Sequence, residues 1–326
     1  MTQANQAIDR PVTGATLSGR TQATPTELSI LSKRPRTLWS DAWRRFRKHR
    51  VAMLGAAVLT ILVLASLLGP IFYKVNPEAL DALNLLTKPL TPGHLLGTNE
   101  IGQDLLARAF FGGRISIAVG FVAMLIAVSL GSLIGSLAGF FGGKVDQLLM
   151  RTTDLFLSLP VLPLLLLTVY LFRDPVTKAL GPERGIFIIV VVMIGALAWM
   201  ATARIVRASF LSLKQKEFVE AAVGLGVSRR SIMFRHILPN ALSPIIVAAT
   251  LEVGNAIITE STLSFLGVGF PPDTPTWGRL VTDGNQYLQT APWLALVPGA
   301  LIFLTVLSIN FMGDGLRDAL DPRQRQ

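Results

Sequence analysis

Six runs of apolar residues, each about long enough to cross a bilayer, dictate what this chain can become. They are Val51–Tyr73, Ile115–Phe141, Leu155–Phe172, Ile186–Ala203, Ala241–Thr259 and Ala291–Gly313. Five carry no Asp, Glu, Lys or Arg; Ala241–Thr259 is broken by Glu252, and Leu155–Phe172 contains Pro160 and Pro163. A membrane helix needs ~20 apolar residues. With no water in the hydrocarbon core, every backbone N–H and C=O must be satisfied within the spanning structure, which restricts it to helices and closed barrels. The alternating pattern of barrel strands is missing. The chain therefore reads as an all-α polytopic membrane protein with six transmembrane helices. Buried helices of a water-soluble core are excluded by composition. Charged residues make up 15% of 326 and hydrophobic residues 51%, whereas a soluble domain carries about 25% charged residues.

The first run is a retained helix, because about fifty residues precede it and no small-residue cleavage site follows a short apolar core. Orientation follows from the basic residues. With the N-terminus inside, residues 1–50, 142–154, 204–239 and the C-terminal tail hold twenty-two of the thirty Lys and Arg, so the positive-inside rule puts both termini in the cytosol. This also accounts for the net charge of +10. The basic, aromatic-interleaved stretch Trp39–Arg50 is then a topology signal favoured by anionic lipid, not a nucleic-acid site. The expected organisation is a disordered cytosolic tail over 1–35, an N-terminal amphipathic segment with the first span over 36–73, and an outside segment over 74–114. A five-helix core over 115–313 and a cytosolic tail over 314–326 complete it. Cysteine is absent, which excludes disulfides, Cys metal sites and thiol nucleophiles.

In the outside segment, Ile101, Leu105, Leu106, Ala109 and Phe110 share one helical face, which predicts an interfacial helix over 99–114 leading into the second span. The second span carries Gly131 and Gly135, and Ser132 and Ser136, as small-xxx-small pairs. Such faces permit close helix approach, within the chain or against a sister subunit.

The cationic block 204–239 separates two spans. Within it, Phe218, Ala221, Ala222 and Leu225 recur at i, i+3, i+4 and i+7 as one stripe of a short helix, with Lys214, Lys216, Glu217 and Glu220 on its other faces. Gly226 can end that helix in the left-handed conformation, Ser228 can cap the next, and Pro239 marks entry to the fifth span. A helix lying on lipid headgroups would carry more cations and bulkier apolar residues. The block reads as a docking element: Ala221 and Ala222 permit close approach and Glu220 offers a carboxylate to a donor on the other surface.

The run Glu220-Ala221-Ala222-x3-Gly226, with Leu238-Pro239, resembles the EAA loop of membrane subunits of bacterial ABC importers. His236 stands where that motif often has isoleucine, and Arg235-His236-Ile237-Leu238-Pro239-Asn240 is similar to the oligopeptide and dipeptide branch. Further resemblance lies in Leu38-Trp39-x3-Trp43-Arg44-Arg45-Phe46, in His94-Leu95-Leu96-Gly97-Thr98 through Gly112-Gly113-Arg114-Ile115-Ser116, and in Gly142-Gly143-Lys144-Val145-Asp146. Leu263-Ser264-Phe265-Leu266-Gly267, Pro271-Pro272-x-Thr274-Pro275-x-Trp277-Gly278 and Gly313–Pro322 extend it over residues 36–323. Asn99 and Gln103 depart from the usual Asp and Arg, which removes any ion pair that relatives make there.

The resemblance implies a C-type permease subunit with a type I importer fold and an extra N-terminal helix, in a bacterial cytoplasmic membrane. It implies a related B-type permease as sister subunit, two ATP-binding subunits using ATP and Mg, and an extracytoplasmic binding protein that delivers peptide. Glu220, Ala221, Ala222, Gly226, Arg235, His236, Leu238 and Pro239 would dock the ATPase. The chain has no Gly-x4-Gly-Lys-Ser/Thr loop and no paired metal-ligand motif, so it is expected to bind no cofactor and to be no enzyme. Glu252, midway along the fifth span, is either a pathway or gating residue or a carboxylate satisfied at a sister interface. Glu260, nearer the outer end, carries less weight. Glutathione, nickel complexes and sugars remain alternative cargoes. An ion-coupled carrier or a membrane anchor would leave the docking block unexplained.

Overall fold

The computed structural model describes residues 38–320, with side chains from residue 40; the expected 1–35 tail lies outside them. Their regular structure is helical, with only two isolated β-bridges, Thr91–His94 and Thr98–Asp104, in the segment that follows the first span. Helix α1 (Leu38–Lys48) leads through His49 into α2 (Arg50–Phe72). His49 caps α2 by accepting from the Ala52 N–H at 3.1 Å. After an irregular segment, α3 (Leu105–Phe141) runs 37 residues. It starts at Leu105, not at Asn99, because Asp104 is its N-cap, its Oδ1 accepting from the Ala107 N–H at 2.8 Å. The expected interfacial helix is thus the first turns of the span itself, and Leu105, Ala107 and Ala109 are buried in protein.

The expected span 155–172 is broken. Helix α4 (Gly143–Ser158) and α5 (Val161–Leu180) meet at an angle of 85°. Pro160 disfavours the α conformation of the residue before it, and Leu159 is extended at φ −77°, ψ 140°. Helices α6 (Pro182–Ala196) and α7 (Trp199–Lys214) together form one apolar stretch with a turn at 197–198. Helix α8 (Glu217–Gly224) is short. The next helix, α9 (Arg229–Phe265), contains a π-helical turn over Ile232–Ile237. Helix α10 (Trp277–Asn285) and α11 (Trp293–Leu320) complete the chain. Residues 314–320, expected as tail, continue α11. Among the described residues, five helical stretches, with α6 and α7 taken as one, are long and apolar enough to cross a membrane, and the α4–α5 pair makes a sixth if counted as one broken span.

The small residues of α3 pack within the chain. A Cβ on Gly131 would stand 2.7 Å from the Trp199 carbonyl oxygen, one on Gly135 2.4 Å from that of Ala203, and one on Gly139 2.8 Å from that of Arg207. Every fourth residue of α3 from Gly131 to Gly139 therefore receives the backbone of α7 at a distance that no side chain allows. Thus α3 and α7 form one tightly packed pair.

Candidate functional site

Helix α8 hangs between the ends of α7 and α9. Val219 and Ala222 are buried, and they sit with Phe210 of α7 and with Ile232, Met233 and Ile237 of α9 in one apolar cluster. The stripe of Phe218, Ala221, Ala222 and Leu225 is not the face turned to the protein. The face turned to the protein is centred on Val219 and Ala222, about a quarter turn away at 100° per residue. Phe218, Ala221 and Leu225 are exposed, and so is Val223. Ala222 alone belongs to both faces. Helix α8 therefore presents to its surroundings an apolar surface of Phe218, Val223 and Leu225, flanked by Glu217 and Glu220.

The exit from α8 is a Schellman turn. The Val227 N–H donates to the Ala222 carbonyl at 3.1 Å and the Gly226 N–H to that of Val223 at 3.0 Å. Gly226 takes φ +74°, the left-handed value this closure requires. Val227 closes over Ala222 in the same apolar cluster. Ser228 then caps α9, accepting from the Ser231 N–H at 3.4 Å. The π-helical turn that follows has a local cause. Pro239 cannot donate to the Arg235 carbonyl, and the turn shifts Leu238 to donate five residues back, to Met233. Of the remaining predicted docking residues, Arg235 and Pro239 are exposed while His236 and Leu238 are half-buried.

Ties to the rest of the bundle are polar as well as apolar. The Lys214 ammonium donates to the Phe140 carbonyl at 2.7 Å, a cation placed on the last turn of α3 where the helix dipole favours it. Arg207 grips Asp146 of α4 through two bonds, one of 2.6 Å from its NH2. Arg204 donates to Asp154 of α4 at 2.5 Å, and that pair is exposed on both sides. Helix α8 thus packs where α3, α7 and α9 meet, and α7 is itself tied to α4.

The two carboxylates of the fifth span have unlike settings. Glu252 is half-buried. Glu260 is completely buried. Its Oε1 accepts from Ser264 at 2.8 Å and from Thr276 at 2.9 Å, and Thr276 is also the N-cap of α10, accepting from the Arg279 N–H. One residue on, the Trp277 N–H donates to Ser116 of α3 and its indole to the Ala109 carbonyl. Glu260 thus fastens α9 and α10 where both meet α3, sealed from any passing solute. As a group that positions α10 it carries more weight than its place in the sequence suggests. Its partner Thr276 lies sixteen residues away in a loop, and no periodicity links the two.

At the same end of the bundle, Asn99 and Gln103 form a buried amide pair. The Asn99 Nδ2 donates to Gln103 Oε1 at 2.9 Å, and Asn99 Oδ1 accepts from the Gln103 N–H at 2.7 Å. The buried Arg108 donates to the same Gln103 oxygen and to the Pro272 carbonyl at 3.0 Å. Its carboxylate is more distant, Asp283 at 3.9 Å. Burial pushes the Asp283 carboxyl up from its ordinary value, an effect that Arg279 and Arg108 oppose. Through its guanidinium Arg108 thus links the loop ahead of α3 to the loop ahead of α10.

Residues 131–326 match the family described as binding-protein-dependent transport system inner membrane component, and residues 37–89 match the N-terminal transmembrane domain of oligopeptide transport permease C. The chain belongs to this permease family. Among its relatives is the oligopeptide transport system permease protein OppC of Haemophilus influenzae, 42% identical over 291 residues, 89% of this chain and 90% of that one. OppC of Bacillus subtilis is 36% identical over 296 residues, covering 91% and 93%. The dipeptide transport system permease protein DppC of Alkalihalophilus pseudofirmus is 36% identical over 287 residues, covering 88% and 90%. Among solved structures, the MetNI methionine ABC transporter in inward-facing form has a chain matching 64% of this permease and 94% of its own length, at 22% identity and a TM-score of 0.51. That likeness is one of fold, the type I importer permease. The permease is a multi-pass inner-membrane transport component, not an enzyme. Its family implies ATPase subunits and a separate substrate-binding protein.

Proposed function

We propose that this permease carries short peptides inward across the cytoplasmic membrane and that α8 is the element through which ATPase motion reaches the spans. The observation that carries the reading is the seating of α8. Val219 and Ala222 fix it to the ends of α7 and α9, while Phe218, Val223 and Leu225 stay uncovered beside Glu217 and Glu220. A surface of that kind on a monomer marks an interaction site. The glycine packing of α3 on α7 makes a push on α8 a movement of whole helices.

In this reading Glu220, Ala221, Gly226, Arg235 and His236 meet a cleft of an ATP-binding subunit, and Ala222, Leu238 and Pro239 hold the element in shape. Two such subunits, each using ATP and Mg, serve this chain and a B-type sister permease; an extracytoplasmic binding protein delivers cargo, and both termini lie in the cytosol. Glu252, half-buried where Glu260 is sealed, meets the peptide amino group or controls gating. Peptide cargo rests on the OppC and DppC relatives; glutathione, a nickel complex or a sugar is the alternative, decided by identifying the ligand held by the purified binding protein.

The chain has no cysteine, so single cysteines test the docking directly. A cysteine at Ala221 or Leu225 should cross-link to the ATPase in the assembled complex and be shielded there from a soluble maleimide. Full modification at both positions in the assembled, ATP-hydrolysing complex would refute the docking. Glu252→Gln should assemble and hydrolyse ATP normally while altering uptake; normal uptake would remove Glu252 from the pathway.

A further inference from the structure

Helix α2 meets the core tightly at both ends and loosely in the middle. Its inward stripe reads Ala52, Gly55, Leu59, Val63, Ser66 and Gly69. At one end Ala52 is fully buried; a Cβ on Gly315 of α11 would stand 2.2 Å from its methyl, and one on Gly55 2.8 Å from the Ser308 carbonyl oxygen. At the other end, Ser66 is buried over Gly113 of α3, whose Cβ would fall 2.1 Å from its hydroxyl. There Pro70 leaves the Ser66 carbonyl without its helical donor. Arg114 supplies one from Nε at 2.9 Å and bonds the next carbonyl, Leu67, at 2.6 Å. Between these clamps Leu59 and Val63 are only half-buried, although they lie on the same stripe.

The gap beneath them is a groove of about 340 Å³ between α2 and the facing sides of α3, α9 and α11. Ile117 and Phe121, Val253 and Ile257, and Ile309 form its walls. The only hydroxyls in it, Thr250 and Thr305, are spent on their own helix, donating to the Ile246 and Leu301 carbonyls at 2.8 and 2.7 Å. Water finds no partner in such a place, and apolar cavities stay dry. Left empty, the lining would forfeit its dispersion contacts on one side. The volume corresponds to roughly eleven groups of ~30 Å³. Leu59 and Val63 flank the midpoint of the 23-residue α2, so the groove lies at the depth of the hydrocarbon core. A sister subunit's helix is too wide to enter without displacing α2 from clamps at both ends, whereas a single hydrocarbon chain passes between them.

We propose that this groove is a binding site for one acyl chain of a bilayer phospholipid, held as a wedge between α2 and α9. Because α9 continues from α8, the chain supports the helix that carries the docking element on the side away from α7.

The test uses the complete transporter in nanodiscs containing phospholipid with a diazirine at mid-acyl chain. After irradiation, label should concentrate on Leu59, Val63, Phe121 and Thr250, several-fold above Ile61 and Leu64, which lie exposed on the outer side of α2. Val63→Trp should fill the groove and abolish that excess, leaving the label at Ile61 and Leu64 unchanged. Equal labelling of groove and outer face in the wild type would mean annular lipid alone and overturn the proposal. So would an unlabelled groove with Val63→Cys cross-linking to the sister permease. The wild-type labelling decides the matter even if Val63→Trp fails to assemble.

Discussion

Gly226 offers the sharpest test of how α8 is built. Its φ is +74° and no heavy atom lies within 4 Å of where a Cβ would stand. An alanine there meets no neighbour, so its whole cost is the left-handed backbone, ~1–2 kcal/mol for an L-residue with a Cβ. Asparagine tolerates that conformation better and should cost less. What the cost acts on is local: the Val227-to-Ala222 and Gly226-to-Val223 bonds close α8 and set the direction in which the chain turns into α9. A penalty of ~1–2 kcal/mol shifts that closure about 5–30-fold toward open forms. Amide exchange over 217–227 in Gly226→Ala should accelerate by that factor, and by less in Gly226→Asn. In proteoliposomes holding the complete transporter, labelled-peptide uptake per phosphate released should fall several-fold for the alanine variant and less for asparagine. Total ATP hydrolysis should change little, because in the proposed assembly nucleotide is bound by the partner. Were alanine to match glycine in exchange and in coupling ratio, or asparagine to be the worse of the two, the conformational argument would be refuted.

The two faces of α8 separate by substitution. Ala222→Leu overfills the contact with Ile232 and Met233 and should destabilise by ~1–3 kcal/mol, lowering the thermal midpoint in detergent; Ala221→Leu, on the open face, should leave that midpoint unchanged and weaken co-purification of the ATPase. Gly135→Val drives a side chain against the Ala203 carbonyl and should uncouple uptake from hydrolysis even though it lies within the membrane, read by the same peptide-per-phosphate ratio. Glu260→Leu strands the Thr276 and Ser264 hydroxyls and should cost ~1–3 kcal/mol for each buried group left unpaired; limited proteolysis near α10 should accelerate, whereas Glu260→Gln, which keeps an acceptor at Oε1, should be milder in the same assay.

Why some of this was legible in the sequence and some was not follows from the range of the interactions. The spans could be read because the bilayer imposes one length on each of them, and Gly226 and Ser228 because a helix end is settled by residues that are neighbours in the chain. The bend at Leu159–Pro160 is equally local, yet the apolar run passes through it without a mark, and only the proline signals that a continuous span is a bent pair. Which face of α8 turns to the protein was not legible for a different reason. A helix of eight residues with Phe218, Val219, Ala221, Ala222, Val223 and Leu225 is apolar on more than half its circumference, so periodicity alone permits either stripe. The choice is made by Ile232 and Met233, which lie beyond a turn and cover Val219. Glu260 and Arg108 lie further still from what a sequence can say, since their partners Thr276 and Pro272 sit in a loop 16 and 164 residues away. Both tie that loop to the spans, Glu260 through the cap of α10 and Arg108 through the start of α3. The same reasoning accounts for Asn99 and Gln103. Exchange of a charged pair for amides would appear to cost the site its bond, but the buried Arg108 still needs an oxygen, and Gln103 supplies one without requiring a carboxylate. Within the loop ahead of α3 a neutral amide pair can thus stand in for an ionic one, since desolvating the charges would cancel much of their attraction, and the Arg108 guanidinium makes the tie to the loop ahead of α10.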